Sequence, residues 1–150
     1  MNQLIVENSI CIDAPVAKVW NLLTNPEQTK KYMHGCEAIS DWKVGSSLIW
    51  KGVFNGQELV AVTGHIVEIK PENVLSYTTF DPNNTKLEDK PENYLTVSYI
   101  LHSEEDKTNL VVTQGDFAQV AEGESRYSDA INSGGWGPIL QEIKKLAETE

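Results

Sequence analysis

Residues 134–149, GGWGPILQEIKKLAET, carry the long apolar stripe that decides how this chain can fold. Helical spacing begins at about Gly123 and continues through this stretch. Pro138 should kink the helix or mark a restart, because proline removes an amide hydrogen bond and crowds the carbonyl of Gly134. The apolar side chains recur every three or four residues, which places them on one face of a C-terminal helix: Trp136, Ile139, Leu140, Ile143, Leu146 and Ala147.

The residues before this helix are rich in strand patterns. Asn55-Gly56 is a strong hairpin dipeptide, and short turns separate the other strands, which favours antiparallel pairing of neighbours. Residues 81–93 are the most polar stretch and contain two prolines, which predicts an exposed loop. The predicted strands cover residues 36–41, 47–53, 58–70, 74–80, 94–102 and 108–117.

The chain begins with another strand and two short helices. Residues 3–12 alternate apolar and polar side chains, interrupted at Asn8 on the apolar face. Pro15 ends the strand and opens a short amphipathic helix. Residues 24–27, TNPE, form a capping-box pattern that begins a second helix, which runs to about Tyr32.

This order of elements predicts one α+β domain over residues 1–150, of the helix-grip kind. A twisted antiparallel sheet of six to seven strands with one apolar face must curl around something. The C-terminal helix carries the only stripe long enough to cover it. We therefore expect an apolar cavity between the curved sheet and that helix.

The net charge of −10 limits the partners of the chain. Nucleic-acid backbones and anionic membranes require basic patches, and the Lys30-Lys31 and Lys144-Lys145 pairs are each flanked by acids. No apolar run approaches the ~20 residues that span a bilayer, and the start lacks a signal-peptide pattern, which predicts a cytoplasmic protein. Cys11 and Cys36 lack CxxC spacing, which indicates two free thiols.

Several segments resemble the START-like, or Bet v 1-like, superfamily along essentially the whole chain. Within it, the chain is similar to the branch named for homologues of the activator of heat shock protein 90 ATPase. The matching segments are Ala14-Pro15 with Val19-Trp20, residues 23–27 (LTNPE), residues 64–71 (GHIVEIKP), residues 108–117 (TNLVVTQGDF) and Gly135-Trp136 with Leu140.

The resemblance implies a helix-grip fold that binds lipids, sterols, polyketides or other apolar molecules. Some members act as cyclases, hydratases or co-chaperones. The co-chaperones carry a further N-terminal domain that has no counterpart in this sequence, so contact with a chaperone is a less favoured implication. For assembly, a monomer or a weak homodimer is expected.

The sequence contains no catalytic or metal-binding motif that would predict an enzyme. The three histidines have no metal-ligand spacing, no G-x-S-x-G elbow occurs, and the glycines at 134–137 lack the lysine of a phosphate-binding loop. We therefore predict no metal, no cofactor and no catalytic residue.

Six side chains are predicted to line the cavity. Four are aromatic and should converge on the concave face of the sheet, although plain core packing is an alternative for each: Trp50, Tyr77, Tyr99 and Trp136. Strand parity turns His65 and Gln114 inward, where Gln114 could orient a ligand carbonyl or tie down a loop. The favoured function is binding of a small apolar or aromatic ligand. The alternatives are a cyclase- or hydratase-type enzyme and a co-chaperone-type interaction module.

Overall fold

In the computed structural model, a single antiparallel sheet forms the body of the molecule. The structure describes residues 3–83, 88–90 and 93–149. Seven strands pair in the order β1-β7-β6-β5-β4-β3-β2, so every strand except β1 lies next to its sequence neighbour. The predicted meander and helix-grip fold are confirmed. The strands are β1 (Val6–Ile12), β2 (Glu37–Ser40), β3 (Ser47–Phe54), β4 (Gln57–Lys70), β5 (Val74–Thr79), β6 (Leu95–Glu104) and β7 (Lys107–Gly115).

Two helices connect β1 to β2. They are α1 (Val16–Thr24) and α2 (Pro26–Thr29). The side chain of Asn25 caps α2 by accepting a hydrogen bond of 3.0 Å from the backbone N–H of Glu27. The predicted cap at Thr24 was one residue early, because the Thr24 hydroxyl instead donates to the carbonyl of Trp20.

The C-terminal helical region is two helices, α3 (Gly123–Asn132) and α4 (Gly137–Thr149). Pro138 was expected either to kink one helix or to mark the start of a second. In the structure a second helix starts beside it, at Gly137. The joint turns at Gly134 and Gly135, whose φ angles of +95° and +58° lie in the left-handed region that glycine adopts without strain. The carboxamide oxygen of Asn8 accepts a hydrogen bond of 3.0 Å from the backbone N–H of Trp136, just before α4. Asn8, which interrupts the apolar face of β1, therefore positions the start of α4.

The core lies between the concave face of the sheet and helices α1 and α4. Inward side chains alternate along β6 and β7, as the sequence pattern predicts. Helix α4 supplies Leu140, Ile143 and Ala147, each nearly inaccessible to solvent. No helix within the described residues is long and apolar enough to cross a membrane.

The predicted loop at 81–93 lies partly outside the described residues, which omit 84–87 and 91–92. The described residues of the loop at 81–83 and 88–90 form neither helix nor strand. Phe80 pairs with Thr63 before the loop, and Asn93 is buried after it.

Two irregularities interrupt the ladder along β4. The register shifts between Trp50 and Lys51 on β3, and again between Ile66 and Glu68 on β4. A bulge adds a residue to one strand, so the side chains beyond it change faces. Ile66 and Ile69 consequently both turn toward the core, although they are three positions apart and regular alternation would place them on opposite faces.

Candidate ligand-binding cavity

A cavity of about 420 Å³ lies against the concave face of strands β3 to β7. Its opposite wall is the segment between α2 and β2, together with the indole of Trp136 just before α4. No residue of α4 itself lines it, so the expected position beneath the C-terminal helix was only partly right. The lining residues are Met33, His34, Cys36, Trp50, Phe54, Ala61, Val62, Tyr77, Thr79, Val97, Gln114 and Trp136.

Aromatic rings form a continuous row along this cavity. The ring centroids of Trp50 and Tyr77 are 5.9 Å apart, and those of Tyr77 and Tyr99 are 6.0 Å apart. Trp136 follows Tyr99 at 5.9 Å, edge to face at 86°. These separations are those of favourable aromatic pairs. The row therefore fixes the orientation of the three rings that reach the cavity.

The polar groups of the lining are few, and most already have partners. The Tyr77 hydroxyl donates to the Tyr99 hydroxyl at 3.3 Å. The indole N–H of Trp136 donates to Oε1 of Gln114 at 3.0 Å. Within the described part of the chain, Nε2 of Gln114 has no hydrogen-bond acceptor, so it is available to a ligand. The Thr79 hydroxyl donates to the carbonyl of Leu95, which leaves its lone pairs able to accept.

The described residues of the lining include no aspartate, glutamate, lysine or arginine. Burial raises the pKa of the Cys36 thiol, which keeps it neutral. Burial, and then the neighbouring Tyr99, raise the pKa of Tyr77 well above its usual value. Among the described lining residues, the thiol and the phenol are therefore neutral near neutral pH, and no carboxylate, ammonium or guanidinium is present.

A tight turn holds the part of the cavity wall formed by residues 33–36. The backbone N–H of Cys36 donates to the carbonyl of Met33, and the turn between them uses left-handed φ angles at His34 and Gly35. The opposite strand carries Gly52, where a Cβ would lie 3.1 Å from the Cys36 Sγ atom. A side chain at position 52 would press on this wall.

The structure brings together four of the six predicted lining residues: Trp50, Tyr77, Gln114 and Trp136. Tyr99 is buried behind them, in contact with Tyr77 and Trp136. The inward orientation predicted for His65 was wrong. The bulge after Ile66 reverses the alternation along β4, so His65 does not share the inward orientation of Ile69 and is exposed on the outer face.

The sequence reasoning missed the wall formed by Met33 and His34. This segment has no periodicity that would assign its side chains to a face, and only its position between α2 and β2 brings it to the cavity. Val62 and Val97 also line the cavity, but in the sequence they have the pattern of ordinary core residues. In the part of the chain that the structure describes, no group of three or more His, Cys, Asp or Glu residues could hold a metal ion.

A curved antiparallel sheet that wraps a C-terminal helix defines the helix-grip class of α+β proteins. The model of the family described as activator of Hsp90 ATPase homolog 1-like protein matches residues 13–148, and the chain belongs to that family. Among curated proteins, no relative matches the sequence.

Solved structures repeat this fold. Protein ChR145 from Cytophaga hutchinsonii is 33% identical, with a TM-score of 0.73 over 99% of this chain and 97% of that one. The Aha1 dimer from Colwellia psychrerythraea is 19% identical, with a TM-score of 0.69 over 97% of this chain and 96% of its own. DynU16, a putative protein in the dynemicin biosynthetic locus, is 15% identical with a TM-score of 0.72; the match covers 99% of this chain and 48% of DynU16.

Proposed function

We propose that this protein binds a small, uncharged, largely apolar ligand in the cavity between Trp50, Tyr77 and Trp136. The observation that carries the proposal is a cavity of about 420 Å³ with aromatic and aliphatic walls. That volume falls within the ~300–1,000 Å³ of small-molecule sites. A core built only for stability would fill such space, because interiors pack to near-crystalline density.

The absence of lysine, arginine, aspartate and glutamate from the lining, as far as residues 3–83, 88–90 and 93–149 form it, favours a neutral ligand. A carboxylate or ammonium group in this environment would lose its hydration without gaining a charged partner, which is costly. Flat ring systems suit a cavity lined by the aromatic rings of Trp50, Tyr77 and Trp136. The free Nε2 of Gln114 would donate to a carbonyl or hydroxyl oxygen of such a ligand and fix its orientation.

Blocking the cavity tests the proposal. Ala61 lines the cavity, whereas Ala17 is exposed on α1, so Ala61→Trp and Ala17→Trp add the same side chain to different places. The neutral probe N-phenyl-1-naphthylamine should bind the natural protein and Ala17→Trp, and quench the fluorescence of the cavity tryptophans. Ala61→Trp should lose at least tenfold in affinity.

Native mass spectrometry of the purified protein provides an independent measurement. Extra mass that disappears on denaturation would identify a carried ligand directly. Equal probe binding by Ala61→Trp and Ala17→Trp, with both variants folded, would place the probe elsewhere and reject the proposal.

A further inference from the structure

The outer face of the sheet carries a second concavity, separate from the apolar cavity. We call it the outer groove; its volume is about 520 Å³. The side chains of Thr78 and Thr96 alternate with the inward residues of β5 and β6, so they point away from the core. The outer groove, which they line, is therefore on the face of the sheet opposite the apolar cavity. The residues that line it are Thr63, Gly64, His65, Thr78, Asp89, Lys90, Tyr94, Thr96 and Gln119.

The floor of the outer groove presents hydroxyl groups and an oriented imidazole. The Thr78 hydroxyl oxygen accepts from the backbone N–H of His65 at 3.0 Å. The same hydroxyl is hydrogen-bonded to Nδ1 of His65 at 3.1 Å, which orients the imidazole ring. Thr78 and Thr96 are directly opposite each other on β5 and β6. Two threonine hydroxyls and one imidazole therefore lie on neighbouring strands of the same face.

One wall of the outer groove is the ring of Tyr94. Phe80 stacks on it with centroids 5.0 Å apart and planes inclined by 18°. The Tyr94 hydroxyl donates to Oδ1 of Asp89 at 2.6 Å, so the ring is held at both its face and its edge. Oδ2 of Asp89 has no hydrogen-bond donor among the described residues. A rigid aromatic side chain next to a free carboxylate oxygen and several hydroxyls makes a surface with convergent polar groups.

The charges on the described residues of the outer groove disfavour strongly anionic ligands. Lys90 is the one lysine or arginine among the described residues that line it, and its Nζ lies 3.6 Å from a carboxylate oxygen of Glu88. A phosphate would meet the carboxylates of Asp89 and Glu88. An apolar ligand would displace water from the threonine hydroxyls without replacing its hydrogen bonds. A neutral molecule with many hydroxyls can instead donate to Asp89 and form a hydrogen bond with Nε2 of His65, because a hydroxyl both donates and accepts.

From these features we propose that the outer groove binds a small neutral polyhydroxylated molecule, of the saccharide class. The threonine hydroxyls both donate and accept, as ring hydroxyls require. The Tyr94 ring offers a flat surface to the C–H face of a sugar. This site is independent of the ligand in the apolar cavity, which lies on the other side of the sheet.

Nuclear magnetic resonance of the full chain tests this site. Amide spectra would be followed during titration with glucose, maltose and N-acetylglucosamine up to about 50 mM, because an open polar site is expected to bind with a Kd of about 1 mM. At least one sugar should shift the amides of residues 63–65, 78 and 94–96. Thr96→Val keeps the shape and β-branching of the side chain but removes one hydroxyl, and should weaken binding about fivefold.

The matched control is Thr113→Val, which changes a partly buried threonine on β7 that does not line the outer groove. Its sugar affinity should equal that of the natural protein. The proposal is overturned if none of the three sugars shifts these amides, if the shifts fall on the residues of the apolar cavity, or if Thr96→Val binds as tightly as Thr113→Val.

Discussion

The indole nitrogen of Trp136 donates a hydrogen bond of 3.0 Å to the side-chain oxygen of Gln114. This bond joins β7 to the joint between α3 and α4, and both residues line the apolar cavity. Trp136 is also held by Asn8, which accepts from its backbone N–H. The cavity wall is thus fixed from two strands at once, β1 and β7.

Replacing Gln114 should therefore cost stability. Gln114→Leu leaves the Trp136 N–H without an acceptor, and the free energy of unfolding should fall by about 1–3 kcal/mol. Urea denaturation measures this. Trp136→Phe removes the donor, so the double variant should be less destabilised than the sum of the single ones. Strict additivity of the two changes would mean that the hydrogen bond contributes nothing.

Between α3 and α4, alanine should be tolerated at Gly137 and not at Gly135. Gly135 has φ +58°, and a Cβ there would lie 2.6 Å from Oδ1 of Asn8, whereas the Cβ position at Gly137 is open. Gly135→Ala should lower the free energy of unfolding by at least ~1–2 kcal/mol. Gly137→Ala should be neutral or slightly stabilising, because alanine favours helix. Thermal unfolding of the two variants compares them; equal melting temperatures would contradict the packing at Gly135.

Alkaline pH should destabilise the protein through its buried tyrosines. Burial raises the pKa values of Tyr32, Tyr77 and Tyr99 above the usual value near 10. Above pH 10 the unfolded chain loses these protons while the folded protein keeps them, so stability is retained below pH 10 and falls as pH rises above it. Each such tyrosine contributes a slope of up to about 1.4 kcal/mol per pH unit.

Tyr77→Phe provides the control for this pH dependence. Because it removes one titrating hydroxyl, this variant should reduce the slope of the unfolding free energy against pH by up to about 1.4 kcal/mol per pH unit. Denaturant titrations at a series of alkaline pH values give both slopes. Identical slopes in Tyr77→Phe and the natural protein would show that Tyr77 does not titrate differently on folding.

The two thiols should differ in reactivity. Cys11 is exposed, whereas Cys36 is buried in the cavity wall and burial raises its pKa. Because the thiolate is the nucleophile, a disulfide reagent should modify Cys11 quickly and Cys36 slowly in the folded protein. The variants Cys11→Ser and Cys36→Ser assign the two phases. If the proposed ligand occupies the cavity, it should slow only the Cys36 phase; equal slowing of both would point to a change in the whole protein.

Much of the fold follows from local patterns in the sequence. The alternation along β6 and β7, the Asn55-Gly56 hairpin and the apolar stripe of α4 each agree with the structure. The errors occur where local rules compete. A bulge after Ile66 reversed the expected orientation of His65, and a bulge leaves little signal because it inserts one residue into an otherwise regular strand.

The sequence by itself determined the α+β class and the strand meander, because strand alternation and helical periodicity are local properties. Only the tertiary structure decided which segments lie opposite the concave face of the sheet. Met33 and His34 reach the cavity because the turn before β2 crosses over the sheet, and Asn8 meets Trp136 from 128 residues away. Such contacts depend on the path of the whole chain in space, which no periodicity within one segment records.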